Sequence, residues 1–279
     1  MSGPRIAVCS WSLAPDGVDG LLAALETLGI DAVQLALSPL VREPDRWPSG
    51  PGSIANRLRA GGIEIVSGMM AMAGEDYSTL ETIALTGGVR PDETWPENRA
   101  HASAVADVAA DEGVGLVTFH AGFLPESADD PQREAILARL RVVADAFAEH
   151  DVDLALETGQ ETAATLEIAL ADLDHPNVGV NFDPANMILY GKGDPVDALR
   201  TLAPSVRQVH LKDAVPTDVP GTWGTEKPAG DGAVDWPAFF EVALSLDPTP
   251  DFVIEREAGA TRIEDIAKAR DLVAGFVSS

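Results

Sequence analysis

Short apolar runs alternate with longer amphipathic, alanine-rich stretches from one end of the chain to the other. Runs bounded by turn residues read as buried strands, and apolar positions recurring every three or four residues read as helices packed by one face. The pattern predicts strands over 5–10, 32–37, 63–69, 115–120, 153–157, 178–182, 206–211 and 252–255. It predicts helices over 18–28, 54–60, 98–112, 131–149, 162–170, 195–202, 236–246 and 263–276. Asp194 before Pro195, and Asp235 before Trp236-Pro237, are start signals, while Gly29 and Gly61-Gly62 are stops. Strand-helix units of about 30 residues repeated eight times fit a single (β/α)8 TIM barrel over residues 1–279. A doubly wound open sheet would carry a glycine-rich phosphate loop after its first strand, and none is present. Two connections exceed plain turns: 71–96, with Tyr77, Gly87-Gly88 and Trp95, and 213–235, with Trp223 and Gly230. Both leave the carboxyl ends of strands, so they are expected to be active-site loops.

Composition narrows the function classes. The 279 residues carry 45 acidic against 19 basic side chains, a formal charge of −26. Such a surface lacks the cations that displace counterions from phosphates, so no nucleic-acid partner is expected. It would also repel a phosphorylated substrate at long range. Cys9 is the only cysteine, which leaves no intramolecular disulfide and no thiolate zinc cage. No apolar run approaches the ~18 residues of a membrane span, and no signal-peptide core precedes the first strand, so a cytoplasmic protein with no membrane partner is expected.

The candidate chemistry lies where strands end. Strand five ends Leu154-Ala155-Leu156-Glu157, strand six Val180-Asn181-Phe182-Asp183, strand seven Gln208-Val209-His210 and strand eight Val253-Ile254-Glu255. Taken singly, each of these is more often a cap or a solvated loop residue, and Asp183 before Pro184 reads as a turn cap. Three carboxylates and an imidazole converging from consecutive strands are a different matter, because the carboxylates repel unless something positive sits among them. One divalent cation resolves this, and an oxygen-rich set with one imidazole favours manganese, magnesium or cobalt, with zinc as the alternative.

The segments 152–159 (VDLALETG), 179–191 (GVNFDPANMILYG), 206–213 (VRQVHLKD), 232–240 (GAVDWPAFF) and 252–259 (FVIEREAG) resemble the xylose-isomerase-like barrels of the sugar phosphate isomerase/epimerase family. The resemblance implies that Glu157, Asp183, His210 and Glu255 bind one divalent metal. It further implies that Glu157 and Glu255 are the catalytic acid/base pair, acting on opposite faces of a carbohydrate through a metal-stabilised enediolate. A homodimer or homotetramer is in keeping with the same resemblance.

His120 matches a family position that faces the substrate. Trp11 and Trp223 are candidate walls for a sugar, with ordinary packing as the alternative. Lys212 is a candidate contact for a hydroxyl or phosphate, although strand alternation is read as weighing against both it and Arg256. Two residues depart from the family pattern: Asn186, a candidate substrate contact that can hydrogen-bond a hydroxyl but cannot exchange protons near neutrality, stands where many members have histidine, and Gln34 where strand two often ends in glutamate, removing a charge from the rim. A dehydratase of a keto-polyol on the same scaffold is the main alternative, since it too begins with proton abstraction beside a carbonyl. An abasic-site endonuclease would need a histidine-rich multi-metal site, and His101, His150 and His175 fall on helices or connections. A sugar-binding protein without turnover is expected to show a broken quartet, and here the quartet is complete.

Overall fold

A computed structural model describes residues 3–48, 52–127 and 129–277. The strands are β1 (Ile6–Cys9), β2 (Ala32–Ala36), β3 (Glu64–Met69), β4 (Leu116–Phe119), β5 (Asp153–Glu157), β6 (Val178–Phe182), β7 (Val206–Leu211), β8 (Asp213–Val215), β9 (Thr225–Lys227) and β10 (Asp251–Ile254). Eight of them close a barrel in the order β1-β10-β7-β6-β5-β4-β3-β2. Every barrel pairing is parallel. This is the (β/α)8 TIM barrel expected from the alternating pattern.

Alternation along the strands creates two cores of different character. Outward residues such as Val33, Leu35, Phe119, Leu154, Phe182, Val209, Phe252 and Ile254 join the large cluster beneath the helices. Ala7, Cys9, Ala32 and Val253 form a separate small cluster inside the barrel. These small side chains leave room in the interior for polar neighbours, and Gln34, Ser67, Thr118, Asn181 and Gln208 are all buried. Burying amides and hydroxyls is tolerated only when they pair. Ser67 donates to Gln208, Gln208 Nε2 donates to Asn181 Oδ1 at 3.2 Å, and Asn181 Nδ2 donates to Glu157 Oε2 at 3.3 Å.

The helices follow the predicted order, with starts set by side-chain caps. Asp130, Thr162, Asp194 and Asp235 each accept a backbone N–H at the first turn. The helix expected over 98–112 begins earlier, at Trp95, because Pro96 occupies the first turn, where its missing N–H costs nothing. Three short helices, Ser38–Arg42, Leu80–Thr86 and Pro184–Leu189, lie in segments read as connections. None spans more than seven residues, at most two turns in which to show a period. No described helix is long and apolar enough to cross a membrane.

The connection 213–235 is built rather than loose. It holds the antiparallel pair β8–β9, and Asp213 organises it from the barrel side. The buried Asp213 carboxylate accepts the N–H groups of Ala214, Gly230, Gly232 and Val234 at 2.9–3.2 Å, and Trp236 Nε1 at 3.0 Å. Gly232 is required for this approach, because a Cβ there would stand 2.0 Å from Asp213 Oδ1. Asp213→Ala strands several buried N–H donors and is expected to cost roughly 3 kcal/mol. Thermal unfolding should show a Tm lowered by roughly 5–10 °C; an unchanged Tm would refute the organising role.

Candidate active site

Inward positions two residues apart stack the site on the interior layer. Glu157, Asp183, His210 and Glu255 stand two places beyond Ala155, Asn181, Gln208 and Val253, at or just past the ends of β5, β6, β7 and β10. One ligand atom from each lies within 4.8 Å of the others, and all four residues are buried. His210 Nδ1 is 3.5 Å from both Glu157 Oε1 and Glu255 Oε2. Among the described residues neither His210 Nδ1 nor Asp183 Oδ2 has a hydrogen-bond partner. Buried polar atoms are seldom left so, and a cation among the four would satisfy both.

Asp183 also caps the helix Pro184–Leu189: its Oδ1 accepts the Asn186 N–H at 3.0 Å, while Oδ2 is the unpartnered atom. The capping expected of it is therefore present, and it occupies only one oxygen. Thr158 ties this residue down, accepting the Asp183 N–H at 2.8 Å and donating to the Asp183 carbonyl at 3.2 Å. Gly159 allows the closure, since a Cβ there would lie 2.3 Å from Asn186 Cβ.

The imidazole tautomer follows from the layer below. Gln34 is fully buried in β2, inside the barrel rather than on the rim, which corrects the expectation for this residue. Its Nε2 donates to the Gly68 carbonyl at 3.2 Å and to Thr118 Oγ1 at 2.9 Å. A backbone carbonyl only accepts, so the amide nitrogen must face Gly68 and Oε1 must face His210. That oxygen is 2.7 Å from His210 Nε2, which is therefore the protonated nitrogen. Against burial, Glu157 and Glu255 hold His210 well above its ordinary range, so without a cation Nδ1 carries a proton as well. A bound cation would take the place of that Nδ1 proton while Nε2 stays on Gln34, the arrangement by which outer partners orient a ligating histidine.

The charges are unevenly compensated. Burial, with Glu255 and Glu157 beside it, pushes Asp183 up to about 7 against the pull of Lys212. Burial acts the same way on Glu255, but Lys212 and His210 outweigh it and hold this carboxyl well below the usual range. Glu157 is likewise held down against burial by His120 and His210.

Above this floor opens a cavity of about 740 Å³ whose walls include Trp11, His120, Asn186, Lys212, Trp223 and Glu255. All five predicted substrate contacts thus meet in one space. Trp11 Nε1 donates to Glu255 Oε1 at 2.9 Å, and Trp223 packs edge-on against Tyr190 at 4.8 Å between centroids. His120 Nε2 is 3.6 Å from Glu157 Oε1, and Asn186 Nδ2 donates to the same oxygen at 3.0 Å. Lys212 corrects the alternation argument. It stands two residues from His210, so it shares His210's face, and its ammonium donates to Glu255 Oε2 at 2.9 Å. Arg256, an odd step from Glu255, does point away and pairs with Glu226 and Asp265. Glu75, Tyr77, Tyr190 and Glu257 also line the cavity. Glu75 and Tyr77 come from the long connection 71–96, where only the unusual length pointed to function; Glu257, two residues past Glu255, was open to the same alternation rule.

Fold and floor together define a TIM barrel with a carboxylate–histidine cluster suited to a divalent cation at its C-terminal mouth. The chain belongs to the xylose isomerase-like TIM barrel family, whose profile matches residues 22–274. A xylose isomerase domain protein from Planctomyces limnophilus is 31% identical, covering 98% of this chain and 96% of that one, with a TM-score of 0.84. A 3-dehydroshikimate dehydratase from Bacillus anthracis is 34% identical over 92 residues, 31% of this chain and 32% of its own length, so the match spans about a third of that relative. Two more distant structures share the fold. One is a xylose isomerase-like TIM barrel protein from Mycobacterium smegmatis in complex with magnesium, 20% identical over 99% of this chain and 97% of that one, TM-score 0.71. The other is a D-allulose 3-epimerase from Methylomonas sp. in complex with D-allulose, 14% identical over 99% and 98%, TM-score 0.72.

Replacing Gln34 by leucine removes the acceptor that sets the His210 tautomer while keeping an apolar fit. Manganese affinity measured by calorimetry should fall roughly ten- to a hundredfold. An affinity equal to that of the unmodified protein would show that Gln34 does not orient the ligand.

Proposed function

We propose that the protein is a divalent-metal-dependent isomerase or epimerase of a ketose or related sugar. The observation that carries the reading is the pair Glu157 and Glu255. They are two buried carboxylates on strands separated by β6 and β7, with Asp183 and His210 between them. Glu255 lines the cavity, and Glu157 lies beneath His120 and Asn186, which also line it. The magnesium complex and the D-allulose complex among similar folds support the same reading.

When bound by Glu157, Asp183, His210 and Glu255, the cation supplies Lewis-acid polarisation of a carbonyl and so acidifies the neighbouring C–H. Both glutamates are held in the carboxylate form by their own neighbours, Lys212 for Glu255 and His120 for Glu157. One carboxylate takes the proton beside the carbonyl and later releases it to solvent, while the other, having first taken up a solvent proton, delivers that proton to the same carbon for epimerisation or to its neighbour for isomerisation. Trp11 and Lys212 fix the two oxygens of Glu255, and Asn181 and Asn186 fix those of Glu157, so neither base has to reorganise. Tyr77 and Trp223 close the sides of the cavity and limit water at the reacting carbon.

The similarity to 3-dehydroshikimate dehydratase favours a second reading, elimination of water after the same first proton transfer. Product mass separates the two: a dehydratase product is lighter by one water, whereas isomerisation in deuterated water changes mass only by the label.

Solvent deuterium incorporation into a panel of ketoses, followed by NMR, tests the reading directly. Chelation with EDTA should abolish exchange and lower Tm, and manganese or magnesium should restore both; exchange that survives chelation would exclude metal dependence. Glu255→Gln should keep the fold and lower exchange by at least roughly a hundredfold, because an amide cannot act as base. A near-normal rate in that variant would remove Glu255 from the mechanism.

A further inference from the structure

The segment that carries Glu255 is tied down at each backbone N–H from 255 to 258. The Glu255 N–H donates to the Leu211 carbonyl at 3.1 Å, and the Arg256 N–H to the buried Ser12 hydroxyl at 2.9 Å. The next two donors, the N–H groups of Glu257 and Ala258, both go to the Glu226 carboxylate, at 3.0 Å and at 3.2–3.3 Å. Glu226 stands on β9, in the connection 213–235, and its side chain is 9% exposed. Arg256 Nη1 donates to the same carboxylate at 2.6 Å, while Arg256 Nε donates to Asp265 at 2.9 Å. Glu226 therefore has a cation beside it and can accept backbone N–H groups without leaving an unpaired charge on the cavity wall.

This tether lies behind a chain of contacts that ends on Glu255. Glu257 Oε2 accepts Lys212 Nζ at 2.6 Å, and the same ammonium donates to Glu255 Oε2 at 2.9 Å. The Glu257 side chain is 54% exposed. Ion pairs with an exposed partner lose much of their worth to side-chain entropy, and a fixed backbone beneath Glu257 limits that loss. We propose that Glu226 is a positioning residue: by fixing the backbone at Glu257 and Ala258 it holds Glu257 on Lys212, and through Lys212 it sets the orientation of the Glu255 carboxylate. The β8–β9 connection, which walls the cavity with Trp223, thereby also supports the floor. The inference rests on the metal-dependent reading for what Glu255 does, and on the hydrogen bonds alone for how Glu255 is held.

The test uses the full-length protein without substrate, so that any contact of Glu226 with a ligand in the cavity plays no part. Glu226→Ala should lower manganese affinity, measured by calorimetry, at least about tenfold, the effect of losing an outer partner of a metal ligand. Glu226→Asp keeps the charge beside Arg256 but is one methylene too short for the two N–H groups, so it should lose as much; it gives the same reading if the alanine variant does not fold. Glu226→Gln keeps an oxygen for the Glu257 N–H and should stay within about threefold of the unmodified protein. Combining Glu226→Ala with Glu257→Ala should lower affinity no further than Glu257→Ala alone, because both act on one chain of contacts. A second readout needs no metal: hydrogen exchange of the Lys212 ammonium, followed by proton–nitrogen NMR, should be at least about tenfold faster in Glu226→Ala or Glu226→Asp. Unchanged Lys212 exchange in those variants, a loss in Glu226→Gln as large as in Glu226→Ala, or additive losses in the double variant would each overturn the proposal. An unmodified protein that binds no manganese, with Lys212 exchange still accelerated by Glu226→Asp, would sink the metal-dependent reading and leave the positioning role standing.

Discussion

Like-charge repulsion at the barrel mouth is the constraint on which the rest of the site depends. Three buried carboxylates offer oxygens within 4.8 Å of one another. At an effective dielectric of 20, each such pair costs on the order of 4 kcal/mol, and three pairs approach the whole stability of a domain. Lys212 and His210 relieve Glu255, and His120 relieves Glu157, but Asp183 is left with a carboxyl pushed up to about 7. The imbalance is greatest where an oxygen and a nitrogen lack partners, at Asp183 Oδ2 and His210 Nδ1. A divalent cation addresses the charge and the missing contacts at once.

The interior layer beneath the floor makes that arrangement specific. A barrel filled only with large aliphatic side chains would bury His210 against groups that cannot choose between its nitrogens. Here the interior apolar residues are small, and the space is used by amides and hydroxyls that direct protons. Gln34 assigns the His210 proton to Nε2, and the line from Ser67 through Gln208 and Asn181 holds one oxygen of Glu157. Because Gln34 is neutral, it can orient His210 without adding a fourth negative charge to an already acidic floor.

Much of this was legible in the sequence because barrel strands are short and their ends are sharp. The four residues of the floor each sit at the last inward position of an apolar run, so the period of two that buries Val209 outside also aims His210 inside. The same rule, counted correctly, reaches Lys212 and Glu257. Gln34 was harder to place, since a buried amide in an apolar strand looks like a rim residue until its partners on β3, β4 and β7 are known. The short helices Ser38–Arg42, Leu80–Thr86 and Pro184–Leu189 offer at most two turns in which to show a period. Thr79 and Asp183 cap two of them, and Ser38–Arg42 has no side-chain cap at all. Glu75 and Tyr77 reach the cavity through the path of a long connection, which no local pattern encodes.

The acidic composition divides between the floor, the cavity wall and the exterior, and only the first demands a cation. Anomalous diffraction from manganese-soaked crystals tests that demand most directly. One strong peak is expected among Glu157, Asp183, His210 and Glu255, bonded to His210 through Nδ1, with Nε2 still facing Gln34. A floor without a peak, or a metal bonded to His210 Nε2, would contradict it.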